Sequence, residues 1–95
     1  MRLNNEIQHY IKTRLKSIAP ESRVFLFGSR VDNQSRGGDI DILWLTGEKI
    51  PLYTIRRFKT AFYRKYGWQK VDVVNFTFHQ EDPFKEIAME KAVEL

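Results

Sequence analysis

The chain contains no cysteine and only two histidines, His9 and His79. The first absence excludes disulfides, thiolate zinc sites and a cysteine nucleophile. The second excludes a multi-histidine metal site, so any metal must be held mainly by carboxylates. Long apolar runs are missing as well. Val24-Phe25-Leu26-Phe27 and Ile42-Leu43-Trp44-Leu45 are four residues each, whereas a membrane helix needs about 20. The start, Met-Arg-Leu-Asn-Asn-Glu, lacks the apolar core of a secretory signal. Together with the missing cysteines, this makes a cytoplasmic location the expectation. No repeat, linker or low-complexity tract divides the chain, so residues 1–95 are expected to form a single domain. What is present is ordinary for a globular protein: 42% hydrophobic and 29% charged residues, with 16 Lys+Arg against 12 Asp+Glu giving +4.

The hydrophobic spacing predicts six elements. Ile7, Tyr10, Ile11, Leu15 and Ile18 recur at helical intervals over about Asn5 to Ile18, and Pro20 cannot continue that helix. Val24 to Phe27 reads as a short buried strand ending at Gly28. A polar segment runs from Arg30 to the Gly37-Gly38 turn signal. Asp39 to Leu45 alternates as a strand, with Ile40, Ile42 and Trp44 on one face and Asp39, Asp41, Leu43 and Leu45 on the other. Leu52, Ile55, Phe58, Phe62 and Tyr66 form the apolar stripe of a second helix that stops before Gly67. Val71 to Phe76 is a third strand. Asp82-Pro83 reads as an N-cap and first helical residue, opening a helix whose apolar face is Phe84, Ile87, Ala88 and Ala92. The order α-β-β-α-β-α implies an α/β fold, helices packed on a small mixed sheet.

Charge is unevenly placed. From Pro51 to Lys70 there are six basic residues and no acid, while Glu81 to Leu95 carries five acids and two lysines. The basic stretch is either a solvated helix face or a surface for an anion: a nucleotide triphosphate, RNA or an acidic partner. Its aromatic residues, Phe58, Phe62, Tyr63, Tyr66 and Trp68, fall mostly on or near the apolar stripe, which core packing explains better than base stacking.

The chemistry concentrates between Phe25 and Leu43. Asp39 and Asp41 are two apart on a strand, so they leave the same face with Cα atoms about 6.6–6.8 Å apart. Carboxylates so spaced can lean onto a pair of divalent cations roughly 3.5–4 Å apart. The plainer alternative is an exposed strand end beside a turn. Asp72 interrupts the apolar run Val71-Asp72-Val73-Val74, where an unpaired buried carboxylate is costly. If its strand lies beside the Asp39–Asp41 strand, three acids converge and repel until a cation neutralises them. Otherwise Asp72 occupies an edge or pairs with Lys70 or an arginine. A strand ending in Gly28-Ser29 lets backbone N–H groups and a hydroxyl approach an anion. Neither a Walker A loop nor a Gly-x-Ser-x-Gly elbow is present, and nothing places His79 beside Ser29 as a catalytic pair.

Strand, Gly28-Ser29, polar loop, Asp39-x-Asp41 on the next strand and Asp72 on a third together resemble the DNA polymerase β-like nucleotidyltransferase superfamily. The short length looks like its minimal nucleotidyltransferases (MNT), the antitoxin-type partners of HEPN proteins. The likeness covers Val24 to Leu45 closely and Val71 to Val74 more loosely. Nine residues separate Ser29 from Asp39, one fewer than in the family's usual motif. The resemblance implies that Asp39, Asp41 and Asp72 are the catalytic and metal-binding residues, holding two Mg²⁺ ions. It implies that Gly28, Ser29 and Arg30 bind the nucleotide phosphates. It further implies transfer of AMP from ATP to a hydroxyl, a tyrosine of a HEPN-type toxin, with this chain acting as antitoxin. The alternative is a catalytically weak module of the same fold that restrains its partner by contact alone. An RNA-binding module using Arg56 to Lys70, with strongly salt-dependent binding, ranks below both.

Overall fold

The computed structural model describes residues 3–28, 39–67 and 69–95. Helix α1 covers Asn5–Ile18, β1 Arg23–Phe27, β2 Ile40–Thr46, α2 Leu52–Lys65, β3 Val71–Thr77, α3 Pro83–Met89 and β4 Val93–Glu94. Asn4 caps α1, its side chain accepting from the Ile7 N–H at 2.8 Å. Ile7, Ile11 and Leu15, spaced by four, form its buried stripe. The helix ends at Ala19, just before Pro20. In α2 the buried residues are Ile55, Phe58 and Phe62, with Tyr66 buried just beyond. The Tyr10 ring of α1 packs on Phe62 and Tyr66 at centroid distances of 6.0 and 5.5 Å. The Tyr66 hydroxyl donates to Glu6 at 3.0 Å, tying the two helices together at their polar rim.

The four strands lie in the order β3-β2-β1-β4. β1 runs antiparallel to β2 and β4, and β2 runs parallel to β3, so the sheet is mixed. The parallel pair requires a crossover, which α2 supplies. Alternation along each strand divides the interior in two. Val24, Leu26, Ile40, Ile42, Trp44 and Val71 pack with α1 and α2. Phe25, Leu43, Leu45 and Phe76 pack on the opposite face with Ala88 of α3. Full burial of each large side chain contributes about 1.5–3 kcal/mol, and Trp44, Phe62 and Ile11 are completely enclosed. No helix among the described residues is long and apolar enough to cross a membrane.

Three sequence expectations are corrected here. Leu52 is 59% exposed, because it opens α2 beyond the edge of the core. On α3 only Ala88 is buried; Phe84 is 49% and Ile87 67% exposed. Ile87 lies about 100° round the helix from Ala88 and so points away from the sheet. Phe84 instead lays its ring against Phe27 at 5.9 Å and Phe76 at 6.4 Å. The helix also stops at Met89, short of Ala92, and the chain returns as β4. That strand is held by two rungs to β1, by the Leu95 N–H donating to the Val24 carbonyl at 2.9 Å, and by the Arg23–Glu94 fork at 2.8 and 3.0 Å.

Asn75 is the buried polar residue that locks the β2–α2 loop. Its amide donates to the Trp44 carbonyl at 3.0 Å and the Thr46 hydroxyl at 3.1 Å, and its carbonyl accepts from the Ile50 N–H at 2.8 Å. Replacing it leaves a buried donor and acceptor unpaired. Asn75→Ala is expected to lower unfolding free energy by about 1–3 kcal/mol, measured by urea denaturation; an unchanged midpoint would refute the locking role.

Candidate functional site

The acidic cluster follows from strand register. Phe27 of β1 lies opposite Asp41 of β2, and Asp41 lies opposite Asp72 of β3. Asp41 and Asp72 therefore share one rung of a parallel pair whose backbones are about 4.8 Å apart. Asp39 precedes β2 by one residue and leaves on the same face as Asp41. The start of this ladder is pinned by the Ile40 N–H, which donates to the Lys70 carbonyl at 2.9 Å. Farther along, the same face carries Leu43 with Val74 and Leu45 with Phe76, the floor beneath α3. The acids thus occupy the polar end of a face that is otherwise packed.

Crowding shows in the charge of Asp41. Its carboxyl titrates above the ordinary range, chiefly because partial burial disfavours the ionised form, and further because Asp72 and then Asp39 repel it; Lys70 opposes the shift. Two lysines reach the outer acids: Lys59 contacts Asp72 at 3.4 Å and Lys70 contacts Asp39 at 3.6 Å. Both pairs are long and about one-third to one-half exposed, so each stabilises by well under ~1 kcal/mol. Among the described residues Asp41 has no such ion-pair partner.

Gly28 completes the described part of the site. It has φ +78°, the left-handed region that suits glycine. A Cβ there would stand 2.5 Å from Asp41 Oδ2 and 3.3 Å from its Cγ. The end of β1 therefore presses directly on the Asp41 carboxylate, and any side chain would displace it. Ser29 and Arg30, the other two residues expected to meet phosphate, lie outside the described residues. His79 follows the far end of β3 from Asp72, so it is no part of this cluster.

Sequence reasoning missed Lys59. Neither Lys70 nor an arginine pairs with Asp72 among the described residues: Lys70 pairs with Asp39, and Lys59, from the crossover helix, takes Asp72. β3 is also an edge strand, as the plainer reading of Asp72 required. Edge position and ion pair are both present, and neither keeps Asp72 off the Asp41 rung. A basic residue on the helix joining two parallel strands was the available signal.

The donor set is three carboxylates, the hard oxygen ligands that magnesium prefers. As placed, no three acid or histidine groups among the described residues are gathered closely enough to grip an ion. Releasing the two weak lysine contacts would free Asp39 and Asp72 to turn inward, and a cation would relieve the repulsion that burdens Asp41. In chemistry, then, the residues fit a divalent cation.

Comparison with known proteins bears on this geometry. The family model described as "Polymerase beta, Nucleotidyltransferase" matches residues 5–95. No curated protein matches the sequence. Among solved structures, a chain of a Tyr→Ala variant of the toxin–antitoxin pair MntA–HpeT is similar, with TM-score 0.74 and 19% identity, over 98% of this chain and 72% of that one. A double Asp→Glu variant of the same pair gives a TM-score of 0.68 at 18% identity, over 97% and 71%. A chain from the complex of tri-AMPylated Shewanella oneidensis HEPN toxin with MNT antitoxin gives 0.64 at 15% identity, over 94% and 69%. At such identities the likeness is one of fold.

Two outcomes are expected. Because the folded state holds the Asp41 proton more tightly than the unfolded state, stability falls as pH rises from the ordinary carboxylate range through the raised value. Asp41→Asn should flatten that fall and raise the metal-free melting temperature at pH 7. Millimolar Mg²⁺ or Mn²⁺ should raise the wild-type melting temperature and leave that variant unmoved; equal responses would count against a cation at Asp41. Gly28→Ala should cost about 1–2 kcal/mol from its backbone alone and abolish the metal response by displacing Asp41, as read by thermal melts with and without Mg²⁺.

Proposed function

The chain belongs to the polymerase β nucleotidyltransferase family, and from that premise we propose that it transfers AMP from ATP to a tyrosine hydroxyl of a HEPN-type partner protein, acting as that partner's antitoxin. The observation that carries the reading is the shared rung of Asp41 and Asp72, pressed from the β1 side by Gly28. Asp39 and Asp41 would hold two Mg²⁺ ions, with Asp72 completing the ligand set of one. When bound, the ions neutralise triphosphate charge and polarise the oxygens at the reacting phosphorus.

The remaining work falls to the chain itself. Asp72, nearest the sheet edge, faces the incoming hydroxyl and accepts its proton. The hydroxyl oxygen then bonds to the α-phosphorus, the bond from that phosphorus to the bridging oxygen breaks, and pyrophosphate leaves with the electron pair. Gly28 brings backbone close to the phosphates without a side chain in the way, and Ser29 and Arg30 are assigned to the β and γ phosphates. Positioning and charge neutralisation supply the rate gain. The reading of AMP as the transferred group and of a HEPN protein as acceptor is supported by the similar fold found with a tri-AMPylated HEPN toxin.

Incubating the protein with α-labelled ATP, Mg²⁺ and the product of the neighbouring gene should label that protein if it is the HEPN-type partner. Asp41→Ala should reduce labelling by about 10²–10³-fold, the scale of losing an electrostatic catalytic group. Labelling that survives the substitution removes the proposal. If Asp41→Ala still neutralises the toxin without labelling it, restraint by contact is the correct reading.

A further inference from the structure

The acids do not use the basic surface of α1 and α2, which lies on the other side of the sheet. On α2, Tyr53, Arg56, Arg57, Thr60, Tyr63 and Arg64 recur at i, i+3, i+4, i+7, i+10 and i+11, the stripe opposite the buried Ile55, Phe58 and Phe62. A hollow of about 740 Å³ opens between this stripe and α1, where Arg14 and Ser17 meet Arg56, Arg57, Thr60 and Arg64. A second, of about 560 Å³, continues across α2 past Arg56, Thr60 and Arg64 to Lys59 and Tyr63. Among the described residues no acidic side chain lines either hollow. None of the four arginines pairs with a carboxylate among the described residues.

From this we infer that the α1–α2 face binds the phosphodiester backbone of a single-stranded nucleic acid. Planar guanidinium groups beside hydroxyls match phosphate oxygens, which they meet two bonds at a time. Tyr53 and Tyr63 are 65% and 47% exposed on the same stripe, so their rings are open to stacking bases. Tyr10, Phe58, Phe62 and Tyr66, by contrast, are engaged with one another. The stripe runs the length of α2, 14 residues or about 21 Å, which accommodates a few nucleotides of an extended strand. The carboxylates of an acidic protein surface would match the same guanidinium groups; what favours a nucleic acid is the pair of exposed tyrosine rings on the same stripe, which offer bases a stacking surface. The triphosphate assigned to the acidic cluster lies across the sheet, with Lys59, which lines the second hollow and contacts Asp72, shared between the two sites.

The test is fluorescence anisotropy with labelled single-stranded RNA and DNA of one sequence, about a dozen nucleotides long, on the full chain. At least one strand should bind at low salt, with affinity falling steeply as salt rises, and the tighter binder identifies the natural class. Arg57→Glu combined with Arg64→Glu should weaken binding at least about tenfold and flatten the salt slope. Both positions are exposed, so the far-UV spectrum and melting temperature should match wild type. Asp41→Asn should bind like wild type, because the site is not the acidic cluster. The inference is overturned if neither strand binds, if the folded double variant binds as well as wild type, or if polyglutamate competes as strongly as the oligonucleotide, which would assign the face to an acidic protein.

Discussion

Like charges held side by side by a hydrogen-bonded ladder are the constraint on which the rest of this molecule turns. Strand β2 cannot move Asp41 away from Asp72 without slipping past β3, and a one-residue slip would turn every core side chain of the strand to the wrong face. Ile40, Ile42 and Trp44, completely buried beneath α1 and α2, hold the register against the repulsion. The cost falls mainly on one group: Asp41 is the crowded member, whereas Asp39 and Asp72 are eased by Lys70 and Lys59. A site of this kind is unsatisfied by design of the fold and gains most from a ligand carrying positive charge.

Gly28 belongs to the same constraint. The antiparallel pairing of β1 with β2 brings Phe27 opposite Asp41, so the next residue turns directly over the carboxylate. Only a residue without Cβ leaves Asp41 in place. The backbone bend and the acidic rung are therefore not two motifs that happen to be near each other. They are one arrangement, produced by three strands meeting at a single level of the sheet.

The sheet also keeps the molecule's charges apart. The acids open on the face covered by α3, and the arginines of α1 and α2 line the opposite layer. Lys59 is the exception, reaching past the edge strand to Asp72. With a net charge of only +4, the separation matters more than the total: a cation and a polyanion can be attracted to different sides of one small fold without cancelling each other.

Much of this was legible in residue order alone. Helical spacing of Ile7, Ile11 and Leu15 ahead of Pro20 marked α1 from Asn5 to Ile18, and the alternation after Asp39 separated the two faces of β2 correctly, because both signals are local and follow from backbone geometry. Membership in the nucleotidyltransferase family was legible too, through the Gly-Ser bend and the Asp-x-Asp strand. Other features were decided only by tertiary contact. The closing segment Val93–Glu94 is too short and too polar to announce a strand and becomes one because β1 offers a free edge. Phe84 and Ile87 look like core on a helical wheel, yet a seven-residue helix lying on a sheet buries little more than one of its side chains. The partners of Asp39 and Asp72 depend on where long lysine side chains arrive after α2 crosses over. Local periodicity is written into neighbouring residues, whereas which distant groups share a rung, an edge or an ion pair exists only once the strands have been brought together.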